Sequence, residues 1–107
     1  MAKYRLTKEA AEDIYKIWSY TVDTWSEKQA EKYYSRLLAA FDRIAARPLL
    51  CGKSYDIIFQ GLRGEHEGRH IVFYYVEDSE GVLIVRVLHE KMDFRRHNLE
   101  LSKSLDP

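Results

Sequence analysis

The feature that most constrains this chain is residues 69–76, Arg69-His70-Ile71-Val72-Phe73-Tyr74-Tyr75-Val76, followed by five polar residues ending in Gly81 and a second apolar run over 82–89. Both runs are dense in β-branched and aromatic side chains, which predicts a β-hairpin whose loop needs glycine for a positive φ. In the first run the two alternating sets are both apolar: Ile71, Phe73 and Tyr75 against Val72, Tyr74 and Val76. Neither face of such a strand can stand in water without cost, so at least one must be covered. The segments long and amphipathic enough to cover it lie upstream.

Tyr4, Arg5 and Leu6 suit a short edge strand, and Thr7 is placed to cap a helix. Ala11, Ile14, Ile17, Trp18, Val22 and Trp25 then recur at helical spacing, with charged residues mostly between them, predicting an amphipathic helix over 7–25. Ser26 and Gln29 form a capping box that starts a second helix almost at once. Its stripe runs Ala30, Tyr33, Tyr34, Leu37, Leu38, Phe41, Ile44 and Ala45, and Pro48 ends it near residue 47. Two helices of about 30 Å joined by almost nothing must lie antiparallel. The expected fold is α+β: an N-terminal antiparallel helical hairpin packed on a three- to four-stranded antiparallel sheet, with 69–76 central. Residues 62–66 pair with 69–76 through a turn at Glu67 and Gly68, while 49–68 otherwise reads as loop with one short strand. Asp93 is placed to cap a short C-terminal helix over 94–99, and 102–107 reads as a frayed tail.

At 107 residues and 46% hydrophobic content the chain is expected to form one domain over 1–107. A lone Cys51 cannot form an internal disulfide, and no His/Cys cluster has ligand spacing. With no apolar leader and no run of about 20 apolar residues, the expectation is a cytoplasmic protein without metal, cofactor or membrane span. Seventeen basic residues offset seventeen acidic ones. That balance offers no field to draw in a phosphate backbone, so strong direct nucleic-acid binding is not expected.

Gly52-Lys53-Ser54 lacks the upstream glycine and following helix of a phosphate loop, and no serine stands in a nucleophile elbow. His66, His70 and His97 read as solvated polar residues. Arg69 and His89 differ, because they fall at ends of the two central strands, in reach of Arg63, Arg86 and Arg95 near one edge of the sheet. One reading makes His89 a general acid or base on a phosphodiester held by the guanidinium groups. The other pairs Arg63, Arg69 and Arg86 with Glu65, Glu67 or Asp93 in a solvated ion-pair array, and the neutral charge balance favours it. Trp18, Trp25, Tyr15, Tyr20, Tyr33 and Tyr34 exceed what one helix face can bury against so small a sheet. They serve either as a thick interface filling or as a partner site.

Taken together, several motifs resemble the ParE branch of the RelE/ParE toxin superfamily. They are the opening Tyr4-Arg5-Leu6-Thr7-Lys8-Glu9-Ala10-Ala11-Glu12-Asp13-Ile14; the spacing Tyr33, Leu37, Phe41, Ile44, Ala45, Pro48; then Gly61-Leu62-Arg63, Gly68-Arg69-His70-Ile71-Val72-Phe73-Tyr74-Tyr75 and Val87-Leu88-His89-Glu90-Lys91-Met92-Asp93. The resemblance covers residues 4–99. It implies a toxin of a type II toxin–antitoxin pair that acts on DNA gyrase without catalytic residues and is neutralised, in a hetero-oligomer, by a ParD-like antitoxin. The antitoxin is expected to lay an amphipathic helix and an extended segment in a groove bounded by the helical hairpin and the sheet, touching Trp18, Trp25, Tyr33, Tyr34 and Phe41. Arg63, Arg69 and Arg95 are the candidates for target contact. The alternative within the superfamily is a RelE-like ribosome-dependent mRNA endoribonuclease, with Arg69 and His89 as its catalytic pair. Glu65, Glu67 and Glu90 would repel RNA, which favours the gyrase branch.

Overall fold

A computed structural model of the chain describes residues 3–77 and 81–92. In order, its elements are β1 (Tyr4–Leu6), α1 (Lys8–Thr24), α2 (Glu27–Ala46), β2 (Lys53–Ser54), β3 (Arg63–Glu67), β4 (His70–Glu77) and β5 (Gly81–His89). The predicted C-terminal helix, its Asp93 cap, Arg95 and His97 lie outside the described residues.

Both helix starts are set by the residues the sequence singled out. Thr7 Oγ1 accepts from the Ala10 amide at 3.0 Å and also donates to the Val85 carbonyl at 2.9 Å, so the cap of α1 is tied to β5. Ser26 Oγ accepts from Gln29 N at 3.0 Å. The reciprocal half of the capping box is replaced, because the Ser26 amide donates to the Thr21 carbonyl at the end of α1.

The sheet has five strands in the order β1-β5-β4-β3-β2. β4 is central, as its two apolar faces require, and β4 with β5 and β3 with β4 are antiparallel. The sheet is mixed rather than wholly antiparallel, because β1 runs parallel to β5, with Tyr4 opposite Val82. Three residues carry no sign of their partner, and the choice is made by β5 amides and carbonyls nearly eighty positions away. Gly81, which opens β5, has φ +80°, and an added Cβ would meet the Lys3 carbonyl oxygen at 2.5 Å. Glycine is therefore required there twice over.

The two faces of the sheet hold two cores. On the helix side Val72, Tyr74, Val82, Ile84 and Val87 pack with Ala10, Leu37, Phe41 and Ile44, all buried. On the other side Ile71, Phe73, Tyr75, Leu83, Val85 and Leu88 cluster with Leu62, and Tyr55, Ile58 and Phe59 pack against them. The segment between β2 and β3, without clear period in its sequence, thus covers the second apolar face of β4.

A shift of register between Phe73 and Tyr74 puts one extra residue in β5, so that Phe73 faces Arg86 while Tyr74 faces Ile84. The bulge brings Arg86 and Val87 both towards α1. Asp13 meets them there: its carboxylate takes Arg86 Nε and Nη2 at 2.7 and 2.8 Å and the Val87 amide at 2.9 Å. Asp13 is buried with every contact charge-assisted, which locks α1 onto β5. Among the described residues Arg86 thus pairs with Asp13 rather than with Glu65 or Glu67, and Asp93 lies outside them.

Candidate functional site

Two regions carry the candidate functional residues. The first is the end of the sheet where β3 turns into β4. Glu67 and His70 face each other across Gly68 and Arg69, and His70 faces His89 of β5. The Arg69 carbonyl accepts from the Glu90 amide at 2.9 Å. This puts Arg69 and His89 at the same end of the sheet, though no contact between the Arg69 guanidinium and the His89 ring is seen among the described residues. Tyr33 of α2 reaches into the turn, with its hydroxyl oxygen 2.9 Å from the Glu67 carbonyl, 2.7 Å from His70 Nδ1 and 3.3 Å from the Arg69 amide. A phenol has one proton, and a carbonyl can only accept it. The hydroxyl therefore donates to Glu67 and accepts from the Arg69 amide and from a proton on His70 Nδ1.

The His70 and His89 rings meet edge to face at 5.5 Å. Burial, helped by the neighbouring His89, lowers the His70 pKa to about 4, against the smaller opposing pull of Asp13 and Glu90. His70 is thus a neutral, bonded ring rather than the solvated residue its sequence context suggests. Burial also raises the Tyr33 pKa. His89 Nδ1 accepts from the Lys91 amide at 3.1 Å. His66 does lie exposed, with Nε2 3.5 Å from Glu90.

The other arginines do not converge here. Arg63 sits at the opposite end of β3, roughly 13 Å away by strand rise. Its guanidinium donates to the carbonyls of Pro48, Leu49, Cys51 and Gly52 and to the Tyr74 hydroxyl. It is spent inside the protein, which removes it as a target-contact candidate. Glu65 and Glu67 are taken by α2 instead: Arg43 bridges both and Arg36 pairs with Glu67 at 2.8 Å. Arg69 is exposed, with no ion-pair partner among the described residues. Among those residues no group of potential ligands could hold a metal ion, and none of their helices is long and apolar enough to cross a membrane.

The second region is a groove between α1 and α2 on their outer side, lined by Ala11, Ile14, Tyr15, Trp18, Glu31, Tyr34 and Ser35. Trp18 and Tyr34 meet edge to face at 6.0 Å across it. Of the five aromatic residues expected at an antitoxin site, these two line the groove, and Trp25 is 74% exposed just past α1. Phe41 does not belong to it. It has no exposed surface, packing on Tyr4 at 5.4 Å in the helix-side core. Tyr33 is half-buried with its hydroxyl committed to the 67–70 turn. The stripe held the distinction: Leu37, Phe41 and Ile44 run down its centre, whereas Trp18 and Tyr34 sit on its flanks, where the helices face each other and the solvent. Tyr15, 71% exposed, was counted among the aromatics but not placed at the site.

A helical hairpin on such a sheet is an architecture found in chains of two toxin–antitoxin systems. The chain superimposes on one from the chromosomal ParDE system of P. aeruginosa with a TM-score of 0.71 at 17% identity, covering 83% of this chain and 96% of that one. It superimposes on one from the RelBE2 toxin–antitoxin complex of Mycobacterium tuberculosis with a TM-score of 0.63 at 22% identity, covering 82% and 96%. At those identities the likeness establishes the fold alone. Sequence goes further. The model of the ParE toxin of type II toxin–antitoxin systems, parDE, matches residues 4–94. Toxin ParE1 of Mycobacterium tuberculosis is 38% identical over 96 residues, 90% of this chain and 97% of that one. Toxin ParE1 of Caulobacter vibrioides is 37% identical over 97 residues (91% and 98%), and Toxin ParE of Escherichia coli 35% over 95 (87% and 89%). The chain belongs to the ParE family of type II toxins.

Proposed function

We propose that this ParE-family toxin acts by binding DNA gyrase and is held inactive by a ParD-like antitoxin. One observation carries the choice of gyrase over RNA: beyond Arg69, the described arginines of β3, β5 and the facing side of α2 that a phosphodiester site would draw on are already spent. Arg63 is consumed by loop carbonyls, Arg86 by Asp13, and Arg36 and Arg43 by Glu65 and Glu67. Glu90 adds negative charge beside His89, where an RNA backbone would have to lie. A gyrase poison needs no reacting group of its own. By binding better to the enzyme with its DNA cleaved than to the resting enzyme, it shifts the population towards the cleaved state that gyrase itself makes.

The test pairs a gyrase supercoiling and cleavage assay with an mRNA-cleavage assay on ribosomes, both with purified protein. Trapped gyrase–DNA cleavage without RNA cutting is the expected result. The ribonuclease reading draws on the meeting of Arg69 and His89 with Tyr33 and His70. RNA cleavage that disappears in His89→Ala would establish it and overturn the gyrase proposal.

The antitoxin is proposed to seat an amphipathic helix in the α1–α2 groove, with Trp18 and Tyr34 as the anchors and Tyr15 and Trp25 at its margins. Trp18→Ala is expected to weaken antitoxin binding at least tenfold while changing the melting temperature of the isolated toxin little. Unchanged affinity would remove the groove as the site. A complex that melts no higher than the free toxin would argue against any tight cover of this face.

A further inference from the structure

Leu49 and Leu50, in the loop between α2 and β2, are 70% and 78% exposed, yet the loop that displays them is among the most firmly held in the molecule. Arg63 donates to four of its carbonyls. The Tyr74 hydroxyl lies 2.7 and 2.8 Å from the carbonyls of Pro48 and Cys51. The Gly52 amide is fixed by the Glu65 carboxylate at 2.6 Å. Gly52 itself has φ +65°, and an added Cβ would strike the Gly64 carbonyl oxygen at 2.5 Å, so the loop is also pressed against β3. Among the described residues neither leucine side chain belongs to a core cluster. Polar residues would serve the loop equally well and would not leave two large apolar groups in water. Beside them stand two exposed cations, Arg47 and Lys53, neither with an anionic partner among the described residues.

We propose that residues 48–52 form a preorganised knob that inserts Leu49 and Leu50 into an apolar pocket, flanked by carboxylates, on a folded protein partner, and that this partner is the toxin's target. The shape selects between the two partners a toxin of this family must meet. A flexible antitoxin segment gains most by ordering into a groove, as between α1 and α2. A rigid protrusion gains most against a partner whose pocket is already formed, because little ordering remains to be done on either side. The knob also lies roughly 18 Å along α2 from Tyr34, beyond one helix seated across the groove. Arg47 and Lys53 supply the charge complementarity that steers approach and fixes orientation. Calling the target gyrase rests on the function proposed above; the knob does not.

The experiment compares the wild-type chain with the Leu49→Ser/Leu50→Ser double variant and, as a conservative control, Leu49→Met/Leu50→Met. Gyrase inhibition, growth arrest on induction in cells, antitoxin affinity and melting temperature are measured for each. The serine pair is expected to need at least tenfold more protein for gyrase inhibition and to lose growth arrest, since each fully buried leucine is worth a factor of ten or more. Its antitoxin affinity and melting temperature should match wild type, and the methionine pair should keep most of the potency. Potency within twofold of wild type overturns the knob. So does an equal loss of antitoxin affinity, or a melting temperature lowered enough to make the leucines structural. If the wild type arrests growth without touching gyrase, the proposed function fails, and growth arrest in the serine variant still decides the knob.

Discussion

The two ends of β3 are closed by similar means and to different effect. At the Arg63 end a guanidinium and a phenol collect the carbonyls of a loop. At the Glu67 end a phenol and an imidazole hold a turn. Both satisfy backbone groups that the sheet cannot, but a guanidinium stays charged at every pH a protein meets, whereas an imidazole donating from Nδ1 to Tyr33 does so as a neutral ring. The first end is a fixed display and the second is a titratable joint.

The largest expected effect is at the fixed end. Arg63→Met removes a charged donor from several carbonyls at once and should cost about 3 kcal/mol, lowering the melting temperature by roughly 10–20 °C. A loss near zero would mean that Tyr74 and Gly52 hold the loop without it, and the contrast between the ends would fade. At the other end Tyr33→Phe leaves the Glu67 carbonyl, the Arg69 amide and His70 Nδ1 without their shared partner. It should cost roughly 1–2 kcal/mol by denaturant titration, and a loss above that at Arg63 would reverse the order.

The sharpest test of the comparison is pH. His70 has a folded pKa of about 4 against an ordinary 6.5, so between those values the unfolded chain binds the proton that the folded one refuses. The stabilisation is complete above about pH 6.5 and is lost as pH falls through 4. The full shift corresponds to about 3 kcal/mol; because the ring is partly solvated, roughly 1–2 kcal/mol is the expected measured loss. His70→Asn, which keeps a donor towards Tyr33 but does not titrate, should flatten the stability profile in that window. An equally steep profile in the variant would assign the acid sensitivity to other groups. Arg69→Ala, which removes an exposed side chain and leaves the turn's backbone bonds, should change stability by less than about 0.5 kcal/mol. Any loss of toxicity in it would then report target contact.

How much of this was readable in advance follows from the range of each interaction. The helices, their caps at Thr7 and Ser26, the central place of β4 and the glycine at 81 were legible, because each depends on neighbours within a turn or on an alternation of two. That Arg69 and His89 fall at one end of the sheet was also legible, since both close strands of one hairpin. Phe41 was misplaced because an apolar stripe gives a face and not a depth. Arg63 and His70 were misassigned, and Asp13 was missed as a partner of Arg86, because the partners, Pro48 to Gly52, Tyr33 and Asp13, are 11 to 73 positions away.

By itself, then, the sequence determined periodicity, capping and the need of β4 for cover on both faces, all of which follow from local geometry and the cost of wetting apolar groups. The tertiary structure decided the parallel pairing of β1, the bulge that delivers Arg86 and Val87 to Asp13, and the neutrality of His70. It also decided the use of Arg63 to hold a loop of exposed leucines. Each of these depends on which hydrogen-bonding groups meet when distant segments pack, and a buried polar group takes the partner that the fold brings within reach.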